Sequence, residues 1–492
     1  MSSSLKSKIR NLKPILDRRR AGVLLHPTSL PSGEIGADAY HFVDFLVASG
    51  VSVWQVLPLG PTHEDHSPYQ CMSTHAGSEE FISISLLEEW GWLPALPDAP
   101  RTDRAASLRA AHAAFAQAPA NVHGDYQLFQ AAHGHWLNDY ALYQALRTQH
   151  KNAAWWQWPA PIRDRTAKAL AQARKQLAEH IEQARFEQFL FFRQWAALKN
   201  YANTRGVLLF GDLPIFVAQD SAEVWAQREY FAIDDRGQAL TVAGVPPDYF
   251  SETGQRWGNP HYRWDRMQSD GFSWWVARLR TQLELYDLLR IDHFRGLEAY
   301  WEIPAEEQTA INGRWVRAPG EELFEALHQH FDPLPLIAED LGVITPEVDA
   351  LRRKYGLPGM KILQFAFDGG ADNPYLPHHH VRNSVVYTGT HDNDTTLGWF
   401  GALSAEQREN VIKYLGAAAE PPMPWPLIRA ALASVARLAI VPMQDVLALS
   451  AEHRMNMPGT TKGNWSWRFE WTQLPEGLAG RVREMARMYG RD

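Results

Sequence analysis

YDLLRIDHFRG, residues 286–296, takes the apolar run of Leu288, Leu289 and Ile291 into a polar end formed by Arg290, Asp292, His293 and Arg295. An apolar run of this length, bounded by polar residues, predicts a strand covered on both faces, as in a parallel sheet. Asp292, at the tip, stands between two arginines and beside a histidine, which favours its charged form. It is expected to be ionised near neutral pH, as a nucleophile or a fixed anion. An ion-paired strand end that only ties down a loop is the other reading of the same residues.

Working outward, the theme recurs. Apolar runs begin near residues 21, 51, 206, 286, 334, 360, 384 and 445. GVLLFGDLP (206–214) ends in Asp212, LPLIAEDLG (334–342) in Glu339 and Asp340, and SVVYTGTHDNDTT (384–396) in His391, Asp392 and Asp394; DVLAL (445–449) is the expected eighth strand. Eight strands separated by helical text predict an α/β fold: a (β/α)8 TIM barrel with large, mainly helical insertions between its strands and the active groups at the C-terminal strand ends. An open doubly wound sheet is the alternative, but no Gly-rich phosphate loop follows the first strand.

The expected organisation is a basic N-terminal arm at 1–20, with Lys6, Lys8, Arg10, Lys13 and Arg18 to Arg20, followed by a catalytic barrel at 21–492. From about 94 to 200 alanine, glutamine and glutamate dominate. The aromatics of WLNDYALYQAL (136–146) and FEQFLFFRQWAALKNYA (186–202) recur there at helical spacing. These read as amphipathic helices with core-facing stripes, inserted between the second and third strands. Residues 231–265 contain VAGVPPDYFSETGQRWGNPHYRW, which has no periodicity but is rich in glycine, proline and aromatics. This is the expected substrate loop or lid.

Of the 492 residues, 45% are hydrophobic and 21% charged, and the 20 tryptophans and 16 tyrosines offer flat faces for stacking on sugars as well as core material. A net charge of −8 argues against a general nucleic-acid binder. No stretch is apolar enough to span a membrane. The single cysteine, Cys71, permits no internal disulfide and has no neighbouring base, so it reads as a structural thiol in a cytoplasmic protein.

In a barrel the strand tips converge, so Asp292, Glu339 and Asp392 become neighbours although they are distant in sequence. Crowded like charges raise one pKa. Asp292 is expected to stay ionised, while Glu339, less compensated and beside Asp340, is the better proton holder. Retaining glycoside chemistry needs this division, with the attacking and protonating carboxylates roughly 5 to 5.5 Å apart. Asp392 then supplies a fixed anion, with His391 donating to a sugar hydroxyl. Helix N-caps or loop anchors are the plainer reading of each tip. A hard-cation site formed from Asp292, Glu339, Asp392 and Asp394 with His391 and His293 is a third, against which Arg290 and Arg295 would act. His378 to His380 read as a solvated run.

RIDHFRG, AEDLG and GTHDNDTTLGW, together with LLHPTSLPS, SPYQ, GDLPIFV, GVPPDYFSETGQRWGNPHY, PGMKILQFAF and the C-terminal NMPGTTKGNWSWR, resemble the amylomaltase family. These are the 4-α-glucanotransferases or disproportionating enzymes, glycoside hydrolase family 77 of the α-amylase clan, and the likeness covers nearly the whole chain. The resemblance implies Asp292 as nucleophile, Glu339 as acid/base and Asp392 as transition-state stabiliser. It also implies Tyr69, Asp212, Asp248, Gln255, Trp257, Arg290, His293, His391 and Asn464 as substrate-binding positions. Read from the sequence alone, Tyr69 is an aromatic platform or a buried loop anchor. CMSTHAGSEEF stands where the family usually carries a small-residue run ending in Gly-Asn-Pro, so the resemblance implies no particular donor-side contact from this loop.

The implied activity moves α-1,4-glucan segments from a donor to an acceptor maltodextrin or to glucose by a retaining double displacement. It needs no cofactor and no metal. The expected partners are maltodextrins, other α-1,4-glucans and glucose, with no nucleic acid and no membrane, in a monomer or weak homo-oligomer. A hydrolase using the same three carboxylates and a non-catalytic glycan-binding protein are the alternatives.

Overall fold

The computed structural model describes residues 18–93, 103–247, 251–416, 422–460 and 462–492. Its strands, in chain order, are β1 (Arg20–Leu24), β2 (Val53–Gln55), β3 (Leu208–Pro214), β4 (Thr241–Val245), β5 (Gln255–Pro260), β6 (Leu288–Asp292), β7 (Ala299–Pro304), β8 (Arg314–Arg317), β9 (Leu336–Ala338), β10 (Gly359–Ile362), β11 (Ser384–Tyr387) and β12 (Leu438–Pro442). Eight of them form one parallel sheet in the order β10-β11-β12-β1-β2-β3-β6-β9. Both faces are covered, which is why these strands read as near-continuous apolar runs.

The seam between β9 and β10 rolls this sheet into a barrel. Ala338 N–H donates to the Pro358 carbonyl at 2.9 Å. Asp340 accepts from Met360 N–H at 2.6 Å and pairs with Arg352 at 3.2 Å. A Cβ on Gly359 would lie 2.2 Å from Asp340 Oδ2, so only glycine leaves room for that carboxylate. Asp340 therefore works at the seam, and the crowding of Glu339 expected from its sequence neighbour comes from elsewhere.

The eighth strand corrects the sequence reading. It is LAIVP (Leu438–Pro442), while Met443–Val446 is a short helix. Asp445, inside the stretch expected as a strand, is buried and accepts from the Thr388 and Thr396 hydroxyls and Thr396 N–H. Two apolar runs lie within a few residues of each other here. Pairing with β1 and β11 selects the one that carries no charge to be satisfied.

Between β2 and β3 lie long helices, among them Ala120–Gln149 and Ala178–Thr204. Trp136, Phe186, Phe189, Phe192 and Trp195 on them are buried. Much of the tryptophan content serves the core: Trp54, Trp155, Trp195, Trp225 and Trp275 are almost fully buried. The 231–265 region, expected as a loop, contains β4 and β5, which join β7 and β8 in a four-stranded sheet ordered β5-β4-β7-β8. Among the described residues no helix is long and apolar enough to cross a membrane.

Candidate active site

Strand register assembles the site. Asp212 on β3 lies opposite Arg290 on β6, and Pro214 lies opposite Asp292. Because side chains alternate along a strand, Arg290 and Asp292 share a face. Arg290 is 4% exposed and Asp212 1% exposed, so a lone charge at either place would be strongly unfavourable. Arg290 Nη1 meets Asp212 Oδ2 at 2.5 Å and Nη2 meets Asp292 Oδ1 at 2.8 Å. Against the downward push of burial, these carboxylates hold the guanidinium well above its ordinary pKa.

Only one of the two arginines flanking Asp292 pairs with it. Arg295 donates to the Val343 carbonyl and lies 3.8 Å from the centre of the Trp315 ring. Asp292 is consequently less compensated than the sequence implies. Burial pushes its carboxyl up to about 6, Arg290 pulls it down, and Asp212 and Asp392 push it further up.

Ile291 on β6 pairs with Ala338 on β9, so Asp292 and Glu339 occupy adjacent strand tips at the same level. Burial pushes Glu339 up to about 7, with Asp292 adding to the rise and Arg290 opposing it. Glu339 Oε2 accepts from His293 N–H at 2.6 Å and Oε1 from Leu341 N–H at 3.0 Å. The first bond needs His293 in the left-handed region, φ +53°, a conformation that costs free energy for a non-glycine residue and that clusters at functional sites. Burial and the neighbouring Arg295 hold the His293 imidazole down at about 3, so it is neutral. Its Nε2 is buried with no hydrogen-bond partner among the described residues.

Asp392 is held differently. Burial opposes its ionisation, but His391, 3.2 Å away, and Asn456, 2.6 Å away, hold it well below the usual carboxylate range. Tyr69 OH donates to Asp212 Oδ2 at 2.8 Å and lies 2.9 Å from His391 Nε2. With the single hydroxyl proton committed to Asp212, His391 Nε2 must be the donor toward Tyr69 and Asp392. The His391 Nε2–H is therefore directed at Tyr69 and Asp392 within the protein.

Tyr69 has the contacts of a loop anchor. Its half-buried ring stacks on His391 at 5.2 Å, and its hydroxyl anchors the loop. Trp257 stands edge-on to His293 at 4.8 Å, and its Nε1–H donates to Gln255 Oε1 at 3.1 Å. Asn464 is occupied within its own loop, donating to Thr460 and accepting from Met457 N–H. Asp248 lies outside the described residues. The departing loop turns inward: Ser73 binds Glu223, His75 lies 2.9 Å from Thr281 Oγ1, and Gly77 exchanges two hydrogen bonds with Gln188. Burial pushes the Cys71 thiol up to about 12. Of the histidine run, His378 and His379 are exposed, but His380 is buried between Ser434 and the Tyr375 carbonyl.

Three residues were not selected from sequence. Asn456 and Arg454 hold the side chain and the main-chain carbonyl of Asp392, and the Trp465 ring lies 5.9 Å from both Tyr69 and His391. They follow β12, where no charged strand tip marks them. For Asn456 and Trp465 the one local signal is NMPGTTKGNWSWR (456–468), dense in turn residues and tryptophan; Arg454 lies just before it. Among the described residues, no group of three or more His, Cys, Asp or Glu is placed to hold a metal ion.

Two adjacent carboxylates of unequal proton affinity and a third fixed anion at one barrel mouth define the class: a (β/α)8 enzyme equipped for glycosidic chemistry. A family model described as 4-alpha-glucanotransferase matches residues 25–473, and the chain belongs to that family. It is 50% identical to a 4-alpha-glucanotransferase of Thermus thermophilus, over 95% of this chain and 98% of the relative. It is 48% identical to one of Synechocystis sp., over 97% and 99%. Amylomaltase from Streptococcus agalactiae in complex with acarbose superposes with a TM-score of 0.92 at 37% identity, covering 96% of this chain and all of that one.

Proposed function

We propose that the chain acts as a 4-α-glucanotransferase on α-1,4-glucans through a retaining double displacement at Asp292 and Glu339. The observation that carries this reading is the Ile291 to Ala338 register, which sets two differently held carboxylates on neighbouring tips. In the first half, an Asp292 oxygen attacks C1 of the donor glucan. The C1–O4 bond breaks, and the Glu339 proton passes to the departing O4. In the second half, Glu339 takes the proton of an acceptor 4-hydroxyl. That oxygen attacks C1, and Asp292 leaves as the carboxylate.

Asp392, ionised well below neutral pH, stabilises the positive charge that develops at the ring carbon. Arg290 keeps Asp292 ionised in the resting enzyme, and the unpartnered His293 Nε2 is offered to a sugar hydroxyl. Asp212 and Tyr69 fix the wall against which the donor ring rests, while Gln255 and Trp257 line the acceptor side. Asp248 and Asn464 belong to the same proposal as further substrate contacts. Transfer exceeds hydrolysis when an acceptor is already bound and water is kept from C1. Maltodextrins serve as donors, and maltodextrins or glucose as acceptors. The lone half-buried cysteine fits a reducing cytoplasm.

Incubation with maltotriose tests the function. A ladder of longer maltodextrins plus glucose, at constant reducing-end count, is the expected result. Rising reducing ends without a ladder would favour hydrolysis. Asp292→Asn is expected to abolish turnover while glucan affinity persists, and retained turnover in that variant would remove Asp292 from the reaction.

A further inference from the structure

We propose that Gln70 is a positioning residue that ties the donor wall to the acceptor side and thereby sets the partition between transfer and hydrolysis. The inference rests on the transferase reading above. Gln70 directly follows Tyr69, whose hydroxyl is fixed to Asp212 and His391. The Gln70 side-chain amide points the other way. It donates to Asn259 Oδ1 at 3.1 Å and to the Trp257 carbonyl at 3.4 Å, both on β5.

The irregularity of β5 gives this contact its weight. Along the β4 to β5 ladder Gly244 faces Arg256 but Val242 faces Pro260, so two steps on β4 are matched by four on β5. The surplus lies at Trp257, Gly258 and Asn259. Gly258 has φ +85°, which a side chain would resist. A bulge of this kind leaves backbone groups unpaired and re-aims a side chain. Here the Trp257 ring stands against His293, and Gln70 takes up the Trp257 main-chain carbonyl within the bulge together with the side-chain oxygen of Asn259. Asn259 is itself buried.

Gln70 is in turn held by a loop with its own internal bonds. The Cys71 and Thr62 backbones pair in an isolated antiparallel β-bridge, Cys71 Sγ donates to the Pro68 carbonyl, and Met72 N–H donates to the Pro61 carbonyl. One amide thus fixes the acceptor-side tryptophan relative to the donor wall. Without it the bulge loses its outside support, the acceptor ring is held less well, and water competes for the glucosyl-enzyme.

The test measures maltotriose disproportionation and reducing-end growth together for the wild type, Gln70→Ala, Gln70→Glu, Asn259→Ala and the Gln70→Ala/Asn259→Ala double variant. A wild type that only hydrolyses would overturn the transferase reading, and this inference with it. For a transferring wild type, each single variant is expected to raise the hydrolysis-to-transfer ratio about fivefold or more and to raise the KM for glucose as acceptor about tenfold, the scale of one lost hydrogen bond. The double variant should be no worse than the more affected single variant, because the two residues act through one contact. A ratio unchanged while kcat falls would mean a purely structural role, and additive effects would mean independent ones; either overturns the proposal. Should Gln70→Ala fail to fold, Gln70→Glu, which keeps the length and removes the donor, carries the same comparison.

Discussion

Asn456 donates its side-chain N–H to Asp392 Oδ1 at 2.6 Å, reaching from the segment after β12 to the tip of the neighbouring β11. A hydrogen bond to a charged group contributes about 1.5–3 kcal/mol. Asn456→Ala is expected to lower kcat/KM for maltotriose about 10- to 100-fold while leaving the folded state intact. Steady-state kinetics beside a thermal melt checks this. A large loss of stability with normal kinetics per folded molecule would assign Asn456 to scaffolding alone.

The pH dependence follows from the two coupled carboxylates. Asp292, raised to about 6, must be ionised to attack, so kcat/KM falls as pH drops through that value. Glu339, raised to about 7, must carry its proton to release the leaving oxygen, so kcat/KM falls as pH rises through that value. A narrow bell between these limits is expected, its limbs belonging to the pair as a whole. A plateau extending well into the alkaline range would falsify the assignment of Glu339 as the acid.

Tyr69→Phe keeps the ring and removes the hydroxyl between Asp212 and His391. His391 Nε2 loses one acceptor and Asp212 one donor in a buried setting. About a tenfold drop in kcat is expected from the lost hydrogen bonds. Tyr69→Ala, which also removes the stacking surface, should be worse, chiefly in KM. Equal kinetics for the two variants would show that only the hydroxyl matters.

Trp465 has φ +62°, a strained conformation for a bulky residue, and its N–H is fixed to the Met455 carbonyl at 2.8 Å. Glycine at this position relieves the strain while losing the ring beside Tyr69 and His391. Trp465→Gly is therefore expected to melt no earlier than Trp465→Ala, although both lower kcat/KM similarly. Differential scanning calorimetry with maltotriose kinetics decides it, and a glycine variant less stable than the alanine one contradicts the strain argument.

Arg491 spreads its guanidinium over the carbonyls of Leu432, Ser434, Ala436, Arg20 and Arg437, fastening the chain end to the base of β1 and β12. Arg491→Met leaves those carbonyls without this donor, and a loss of about 3 kcal/mol or more is expected, with kcat per folded molecule unchanged. Urea unfolding gives the first quantity and maltotriose turnover the second. A variant as stable as the wild type would show that water replaces the guanidinium.

Much of the site was legible because a buried parallel strand that ends at a functional mouth writes both facts in adjacent letters. Leu288 to Asp292 and Leu336 to Glu339 are apolar runs tipped by an acid, and such runs need no partner to be recognised. Folding decided what depends on distant residues. Pairing with β1 and β11 chose Leu438–Pro442 over the stretch holding Asp445, and the β9 to β10 seam took Asp340 out of the active site. Arg295, close to the nucleophile in sequence, was sent to Val343 and Trp315, which left Arg290, with a smaller contribution from His391, to offset the burial of Asp292. Proton affinity responds to burial and to charges across strands, neither of which is a property of neighbouring letters. The amino-acid order therefore fixed which groups stand at the mouth, and the barrel fixed how strongly each holds its charge.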